Sequence, residues 1–237
     1  MIASRLRCAS ARRGRGALPL ASRVTGTTAK VYAAARTPQR WEDRRIQPLS
    51  LDITDHGSVA GAVAAASDID LLINNAAIAP AGDSIFGPED ELRRIFETNF
   101  FGNLRVAAAF APVLAANGGG TLLNVLSSAS WIPVPTGYAA SKAALWSATN
   151  ALRLQLEGQS TQVIALQVGM IDTPMSARWD VPKVSPASVV AQAYDGVADG
   201  LIEVLADETT RRVKSGLSGK AEEFYPRLHE QLRSFAP

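Results

Sequence analysis

Short apolar runs alternate with longer segments of helical pattern along most of this chain. Near-continuous apolar runs that suit buried strands lie at residues 30–36, 46–53, 70–77, 121–127 and 162–168. Between them, helical patterns cover residues 55–67, about 88–116 and 138–157. Apolar strands that are separated by helices indicate a parallel sheet covered on both faces. We therefore predict a single α/β domain with a doubly wound parallel sheet.

The C-terminal part continues this pattern from about residue 186. Two further helices are predicted there, and residues 201–207 form either a last strand or a helix end. Polar residues collect at the carboxyl ends of the predicted strands, where ligands of such sheets bind. These residues are Asp52, Asn74, Asn75, Ser127, Ser128 and Gly169.

The amino-acid composition excludes several classes of protein. The 237 residues include one cysteine, Cys8, and two histidines, which exclude an internal disulfide and leave little for a transition-metal site. No apolar run reaches the roughly 18 residues that a membrane span needs. We therefore expect a cytoplasmic protein with no metal and no membrane association.

Charge is distributed unevenly between the two ends. Residues 1–41 hold eight Arg and one Lys with no acid, which leaves 15 basic against 22 acidic residues in the remainder. An acidic body argues against a nucleic-acid partner. The Arg-rich start has the composition of a mitochondrial transit peptide, but a degenerate or poorly ordered first segment is the preferred interpretation.

Tyr138 and Lys142 are the most informative pair in the sequence. They lie four residues apart on a predicted helix and so share one face. A neighbouring ammonium stabilises a phenolate and lowers a tyrosine pKa from its usual value near 10. The spacing therefore predicts that Tyr138 can donate and accept a proton.

This pair belongs to one of five motifs that follow one another in order within residues 30–220. In this order and on these predicted elements they resemble the short-chain dehydrogenase/reductase family, which implies a Rossmann-like domain. The resemblance implies an NAD(P)-dependent oxidoreductase that interconverts an alcohol and a carbonyl by hydride transfer. The motifs are Asn74-Asn-Ala76, Asn99, Asn124-Val-Leu-Ser-Ser128, Tyr138-Ala-Ala-Ser-Lys142 and Val168-Gly-Met-Ile-Asp-Thr-Pro-Met175.

The resemblance assigns four catalytic residues. Tyr138 is the general acid/base, and Ser127 hydrogen-bonds the substrate oxygen. Lys142 lowers the pKa of Tyr138 and binds the nicotinamide ribose, while Asn99 holds a water that links Lys142 to solvent. The interval from Ser127 to Tyr138 is about two residues shorter than is usual in the family, so the loop between them is tight.

The glycine-rich turn for the cofactor pyrophosphate has two registers. Val24-Thr-Gly26 is excluded, because three residues cannot bridge two parallel strands. Gly14 and Gly16 leave thirteen residues for a helix and return, with residues 2–8 as the preceding strand. Ser10 replaces the first glycine of the family's turn, so residues 1–29 are a damaged first βα unit ahead of the remaining domain, 30–237.

Other residues are assigned to the cofactor by the same resemblance. Arg36 after the second strand favours the 2′-phosphate of NADP, with NAD as the alternative. The adenine contacts fall to Asp52 and Ile53, the adenosine ribose to Asn75 and Ala76, and the nicotinamide side to Ile171 and Thr173, together with Tyr138 and Lys142.

Two functions stay open at this point. The first is an NADP-preferring oxidoreductase acting on a small alcohol or carbonyl, as a homodimer or homotetramer. The second is a catalytically silent relative that binds or scaffolds because its dinucleotide turn has failed. Divergence, a fused targeting extension or a reading-frame error explain residues 1–29, and the abrupt change in composition near Lys30 favours the last.

Overall fold

The computed structural model describes residues 2–4 and 30–233 of the chain. Its strands are β1 (Ile2–Ser4), β2 (Val31–Ala35), β3 (Ile46–Ser50), β4 (Leu71–Asn74), β5 (Gly120–Val125), β6 (Thr161–Gln167) and β7 (Glu203–Leu205). They form one sheet in the order β3-β2-β1-β4-β5-β6-β7. The five predicted strands are confirmed, and residues 201–207 contain a strand.

Helices follow the strands as predicted. In the described part they are α1 (His56–Ala65), α2 (Glu89–Phe96), α3 (Asn103–Ala116), α4 (Gly137–Leu156), α5 (Pro186–Ala198), α6 (Glu208–Gly216) and α7 (Ala221–Arg233). A π-helical turn, Glu97–Gly102, joins α2 to α3. The predicted helix 88–116 is thus confirmed with one wide turn inside it. The C-terminal part carries three helices instead of the two predicted.

The central strands are buried on both faces. Leu122 packs in a cluster with Phe110 of α3, whereas its neighbour Leu123 packs in a second cluster with Val189 of α5. Successive side chains of a strand point to opposite faces, so both positions must be apolar. This two-sided burial explains the continuous apolar runs and confirms the doubly wound arrangement.

β1 runs in the opposite direction to the prediction. It lies between β2 and β4 but is antiparallel to both, with Ser4 opposite Val31 on one side and Leu71 on the other. The predicted parallel strand over residues 2–8 is therefore wrong in direction for Ile2–Ser4, and residues 5–8 lie outside the described part. An unpaired charge costs several kcal/mol in a sheet centre. The residues that pair in β1, Ile2–Ser4, carry no charge, and the first charged residue of the chain, Arg5, follows them in the sequence.

The continuous helix Glu89–Ala116 is long and apolar enough, by length and composition alone, to cross a membrane. Its side chains Val106, Phe110 and Leu114 are buried in the core of the domain. Packing against the sheet accounts for this composition, because core helices of folded domains pass the same test.

Candidate active site

Tyr138 lies in the first turn of α4, beside the carboxyl end of β5. The Thr136 hydroxyl caps this helix by accepting a hydrogen bond from the Ala139 N–H at 3.1 Å. The Ser127 side chain, which caps the turn after β5, is the hydrogen-bonding neighbour that lowers the pKa of the Tyr138 phenol. The structure thus brings two predicted catalytic residues together across the short loop.

Burial dominates the acidity of Tyr138. Desolvation raises the pKa of its phenol above the ordinary value of 10.0, and the hydrogen bond with Ser127 opposes this rise. The Lys142 Nζ atom lies 5.8 Å from the centre of the Tyr138 ring and donates to the Val125 carbonyl at 2.8 Å. Burial is the larger influence on this phenol, and the lowering of its pKa by Lys142 stays a prediction.

Lys142 is itself almost fully enclosed, with 2% of its surface exposed. Burial lowers the pKa of its ammonium from 10.5 to about 8, because a charge loses hydration in the interior. The ammonium keeps one hydrogen bond to the protein, at Val125, and lies beside an aromatic ring. Its remaining donor capacity suits the ribose hydroxyls that the family resemblance assigns to it.

The Asn99 side chain connects the first turns of α4 to the loop after β4 by hydrogen bonds. It is fully buried in the π-helical turn, where its Oδ1 atom accepts from the Ile78 N–H at 2.8 Å. Its Nδ2 atom donates to the Ile78 carbonyl at 2.9 Å and to the Ser141 hydroxyl at 3.0 Å. Ser141 in turn donates to the Tyr138 carbonyl at 2.7 Å. The side chain of Asn99 thus ties the loop after β4 to the catalytic helix; its water-holding role stays a prediction.

Asn103 is a site residue that the sequence analysis missed. Its Nδ2 atom lies within hydrogen-bond distance of three carbonyls, those of Ala76 at 3.1 Å, Thr98 at 3.2 Å and Asn99 at 3.0 Å. A π-helical turn disturbs the regular backbone bonding of a helix, and this side chain satisfies the carbonyls inside the turn. The spacing of four residues from Asn99 was the available signal.

A chain of buried amides supports the same edge of the sheet. Asn74 donates to the Asn124 Oδ1 atom at 3.1 Å, and Asn124 donates to the Thr149 hydroxyl at 2.9 Å. All three side chains are at most 3% exposed. Because buried polar groups need partners, this chain fixes β4, β5 and α4 relative to one another.

The predicted adenosine residues lie beside β2 and β3. Arg36 is exposed directly after β2. Hydrogen bonds from Thr54, with a smaller contribution from the Arg36 charge, lower the pKa of Asp52. Ile53 is buried against Gly102, where a Cβ atom would come within 2.8 Å of its side chain. The Arg36 guanidinium and the Asp52 carboxylate thus lie near each other after β2 and β3.

The remaining described cofactor candidates follow β4 and β6. Asn75 is exposed and Ala76 is half-buried. Ile171 pairs with Val184 in an isolated bridge, which closes the base of the loop that carries Thr173. Thr173 is half-buried. Its hydroxyl donates a long hydrogen bond to the Ile171 carbonyl, at 3.4 Å.

Gly14 and Gly16 lie outside the described residues, so the glycine-rich turn stays a prediction. Ser4 and Val31 are paired at the amino-terminal end of β2. The chain therefore leaves β1 and enters β2 at the edge of the sheet opposite to Ser127. Across residues 2–4 and 30–233, no group of three or more His, Cys, Asp or Glu residues could hold a metal.

Asp83, in the loop between β4 and α2, makes a contact that no local pattern predicts. Its carboxylate accepts hydrogen bonds from the backbone N–H groups of Gly137, at 2.9 Å, and Tyr138, at 2.8 Å. More than fifty residues separate the partners in sequence, so folding alone brings them together.

A covered, mostly parallel sheet with Ser127, Tyr138 and Lys142 at its carboxyl edge defines an α/β protein with a candidate active site at that edge. The family model described as short chain dehydrogenase matches residues 16–183. The chain belongs to the short-chain dehydrogenase family, and its relatives are dehydrogenases and reductases.

Curated relatives match over part of their length. The 1-deoxy-11-beta-hydroxypentalenate dehydrogenase of Streptomyces avermitilis is 32% identical over 166 residues, which cover 66% of this chain and 61% of that protein. An NADPH-dependent 1-acyldihydroxyacetone phosphate reductase of Schizosaccharomyces pombe is 30% identical over 159 residues, covering 63% of this chain and 53% of that one. The chain thus spans between half and two thirds of the length of these relatives.

A solved structure gives a broader match. The short chain dehydrogenase of Burkholderia cenocepacia, crystallised in complex with NADP, superposes with a TM-score of 0.72 at 33% identity. The superposition covers 83% of this chain and 85% of that one. The Rossmann-like fold is therefore shared over most of both chains.

Proposed function

We propose that this protein is an NADP-preferring oxidoreductase that interconverts a small alcohol and the corresponding carbonyl compound. The observation that carries the proposal is the buried Lys142 ammonium 5.8 Å from the centre of the Tyr138 ring, with Ser127 next to the Tyr138 phenol. An acid and a hydrogen-bond donor at one point can bind and protonate a single oxygen atom.

The protein side of the reaction is proton transfer and positioning. Ser127 donates a hydrogen bond to the substrate oxygen and Tyr138 gives or takes its proton. The raised pKa keeps Tyr138 protonated at neutral pH, which suits the donor needed for carbonyl reduction. Lys142 holds the ribose hydroxyls and stabilises the phenolate that proton donation leaves behind.

Bound NADPH would supply the hydride for carbonyl reduction, and bound NADP+ would accept it in alcohol oxidation. The fit of this cofactor is supported by the exposed Arg36 guanidinium near Asp52, a cation placed to meet a 2′-phosphate. NAD, which lacks that phosphate, is the alternative cofactor. Asn75, Ala76, Ile171 and Thr173 would border the ribose and nicotinamide parts, as the family resemblance implies.

Nucleotide titration tests the proposal first. We expect NADPH to bind with micromolar affinity and more tightly than NADH, measured by calorimetry on the full chain. Arg36→Ala should weaken NADPH binding while leaving NADH binding nearly unchanged, because it removes the cation for the 2′-phosphate. Absence of binding at millimolar nucleotide would favour the silent binding or scaffold protein, to which the reversed strand β1 also points.

Tyr138→Phe tests the chemistry directly. The variant keeps the ring and loses the hydroxyl, so kcat should fall by about 100-fold or more, as expected for loss of general acid–base catalysis. Affinity for NADPH should change by no more than about twofold, since the hydroxyl acts on the substrate. Steady-state kinetics and calorimetry measure the two quantities. An unchanged kcat would place the chemistry elsewhere.

We infer that the protein acts as a homodimer or homotetramer. Support comes from the helical face of α2 and the π-turn, where Leu92, Phe96 and Phe101 lie in an open groove whose other lining residues are charged. Phe101 is 50% exposed, and Leu154 on α4 is 78% exposed. Apolar side chains on neighbouring helices are suited to a second copy of the chain.

A further inference from the structure

The backbone of Tyr138 is held at both of its polar groups. Its N–H donates to the Asp83 carboxylate at 2.8 Å, and its C=O accepts from the Ser141 hydroxyl at 2.7 Å. Ser141 is within α4 itself, so it cannot set the position of the helix. Asp83 belongs to a separate loop and bonds directly to the Tyr138 backbone, whereas Asn99 reaches that backbone only through Ser141.

The approach of Asp83 depends on the residue before Tyr138. A Cβ atom on Gly137 would lie 3.1 Å from the Asp83 Oδ1 atom and 2.6 Å from the Leu92 side chain. Both contacts are tighter than ordinary van der Waals distances. The absence of a side chain at Gly137 therefore lets the carboxylate reach two consecutive N–H groups.

A second bond joins the same two loops. The Ile85 N–H donates to the Pro135 carbonyl at 2.9 Å, two residues beyond Asp83 on one side and three before Tyr138 on the other. The loop from Ser127 to Tyr138 has only ten intervening residues. These contacts brace the short loop from outside.

From these contacts we propose that Asp83 is a positioning residue that sets the location of the Tyr138 hydroxyl relative to Ser127. This inference rests on the proposed function for its effect on turnover. Negative charge at a helix N-terminus also stabilises α4, so the test must separate placement from stability.

Thr136 provides the matched control. It caps the same end of α4 through the Ala139 N–H and contacts neither polar group of Tyr138's backbone. Asp83→Ala, Asp83→Asn and Thr136→Ala should all lower Tm. We expect kcat with NADPH and a panel of ketones to fall about 10- to 100-fold in Asp83→Ala, as misplacement of a catalytic group predicts. Asp83→Asn should fall less, because an amide oxygen still accepts one bond. Thr136→Ala should stay within about twofold, because capping changes stability without moving the acid.

A second readout does not depend on turnover. The ¹³Cζ resonance of Tyr138, assigned by its loss in Tyr138→Phe, should shift in both Asp83 variants and stay fixed in Thr136→Ala. If wild type reduces no ketone, the proposed function fails while this resonance still decides the role of Asp83. If Asp83→Ala does not fold, Asp83→Asn decides it. An unmoved resonance in Asp83→Asn with wild-type kcat would overturn the inference.

Discussion

Burial acts on Tyr138 and Lys142 in the same sense, toward their neutral forms. The pKa of Tyr138 is raised and that of Lys142 is lowered to about 8. Tyr138 therefore loses its proton less readily than an exposed tyrosine, and Lys142 loses its proton more readily than an exposed lysine. For Tyr138 this means a stable proton donor, and for Lys142 a cation held at a cost in folding free energy.

Lys142→Met should reveal that cost through pH dependence. Between pH 8 and 10.5 the unfolded state binds the Lys142 proton and the folded state does not, so wild-type stability should rise with pH. The full gain is about 3 kcal/mol, from about 1.4 kcal/mol per pKa unit.

Urea unfolding at pH 7 and pH 9.5 measures this gain. We expect Lys142→Met to be more stable than wild type at pH 7 and the difference to shrink at pH 9.5. A difference that is constant with pH would show that Lys142 is not destabilised by its burial. The comparison cancels the titration of groups common to both proteins.

At the scale of elements, Asp207 joins a strand end to a helix. Its carboxylate accepts from the Gly169 N–H at 2.6 Å, from the Thr210 N–H at 2.9 Å and from the Thr210 hydroxyl at 2.7 Å. Asp207 is buried. It therefore fixes the start of the loop that carries Ile171 and Thr173 against α6.

Asp207→Ala should destabilise the protein by about 3 kcal/mol or more, because buried donors left without partners cost about 1–3 kcal/mol each. Asp55→Ala is the control, since the exposed Asp55 caps α1 through one bond to the Ser58 N–H. Loss of such a cap costs about 1 kcal/mol. Denaturant midpoints measure both changes. Equal losses would mean that the bonds from the Gly169 N–H and the Thr210 hydroxyl contribute nothing beyond an ordinary helix cap.

Helix α4 shows what a local pattern can and cannot predict. Its start beside Ser127 and the shared face of Tyr138 and Lys142 follow from residue spacing, which fixes geometry within one helix. The pKa of Tyr138 does not follow, because desolvation depends on the surrounding elements. The contact with Asp83 is equally absent from any local pattern, since it comes from a loop more than fifty residues away.

For the whole molecule, continuous apolar runs separated by helical patterns were sufficient to predict a doubly wound sheet with strands β2 to β6, while residues 201–207 stayed open between a strand and a helix end. Two-sided burial favours apolar residues at most central positions, and that signal is strong. Strand direction carries a weaker signal. Ile2–Ser4 have an apolar or small pattern that fits either direction, so the antiparallel course of β1 could not be inferred.

The exposed apolar side chains predict the oligomeric state of the protein. Sedimentation velocity should show wild type as a dimer or tetramer. Phe101→Asp should dissociate it, because a carboxylate would be buried without a partner in the interface. Trp41→Asp is the control, since Trp41 is 52% exposed in the connection between β2 and β3. Its assembly should equal that of wild type, and a monomeric wild type would contradict the inference.

Strand β1 also separates β2 and β3 from the other strands of the described sheet. In the described sheet, β2 and β3 reach β4 through three residue pairs on each side of β1. Short pairings open at lower free energy than the rest of a domain. Amide hydrogens of Val31–Ala35 should therefore exchange faster than those of Gly120–Val125 in hydrogen-exchange mass spectrometry. Because Arg36 and Asp52 lie on that weaker half, a bound nucleotide would slow its exchange first and couple cofactor loading to the integrity of the sheet.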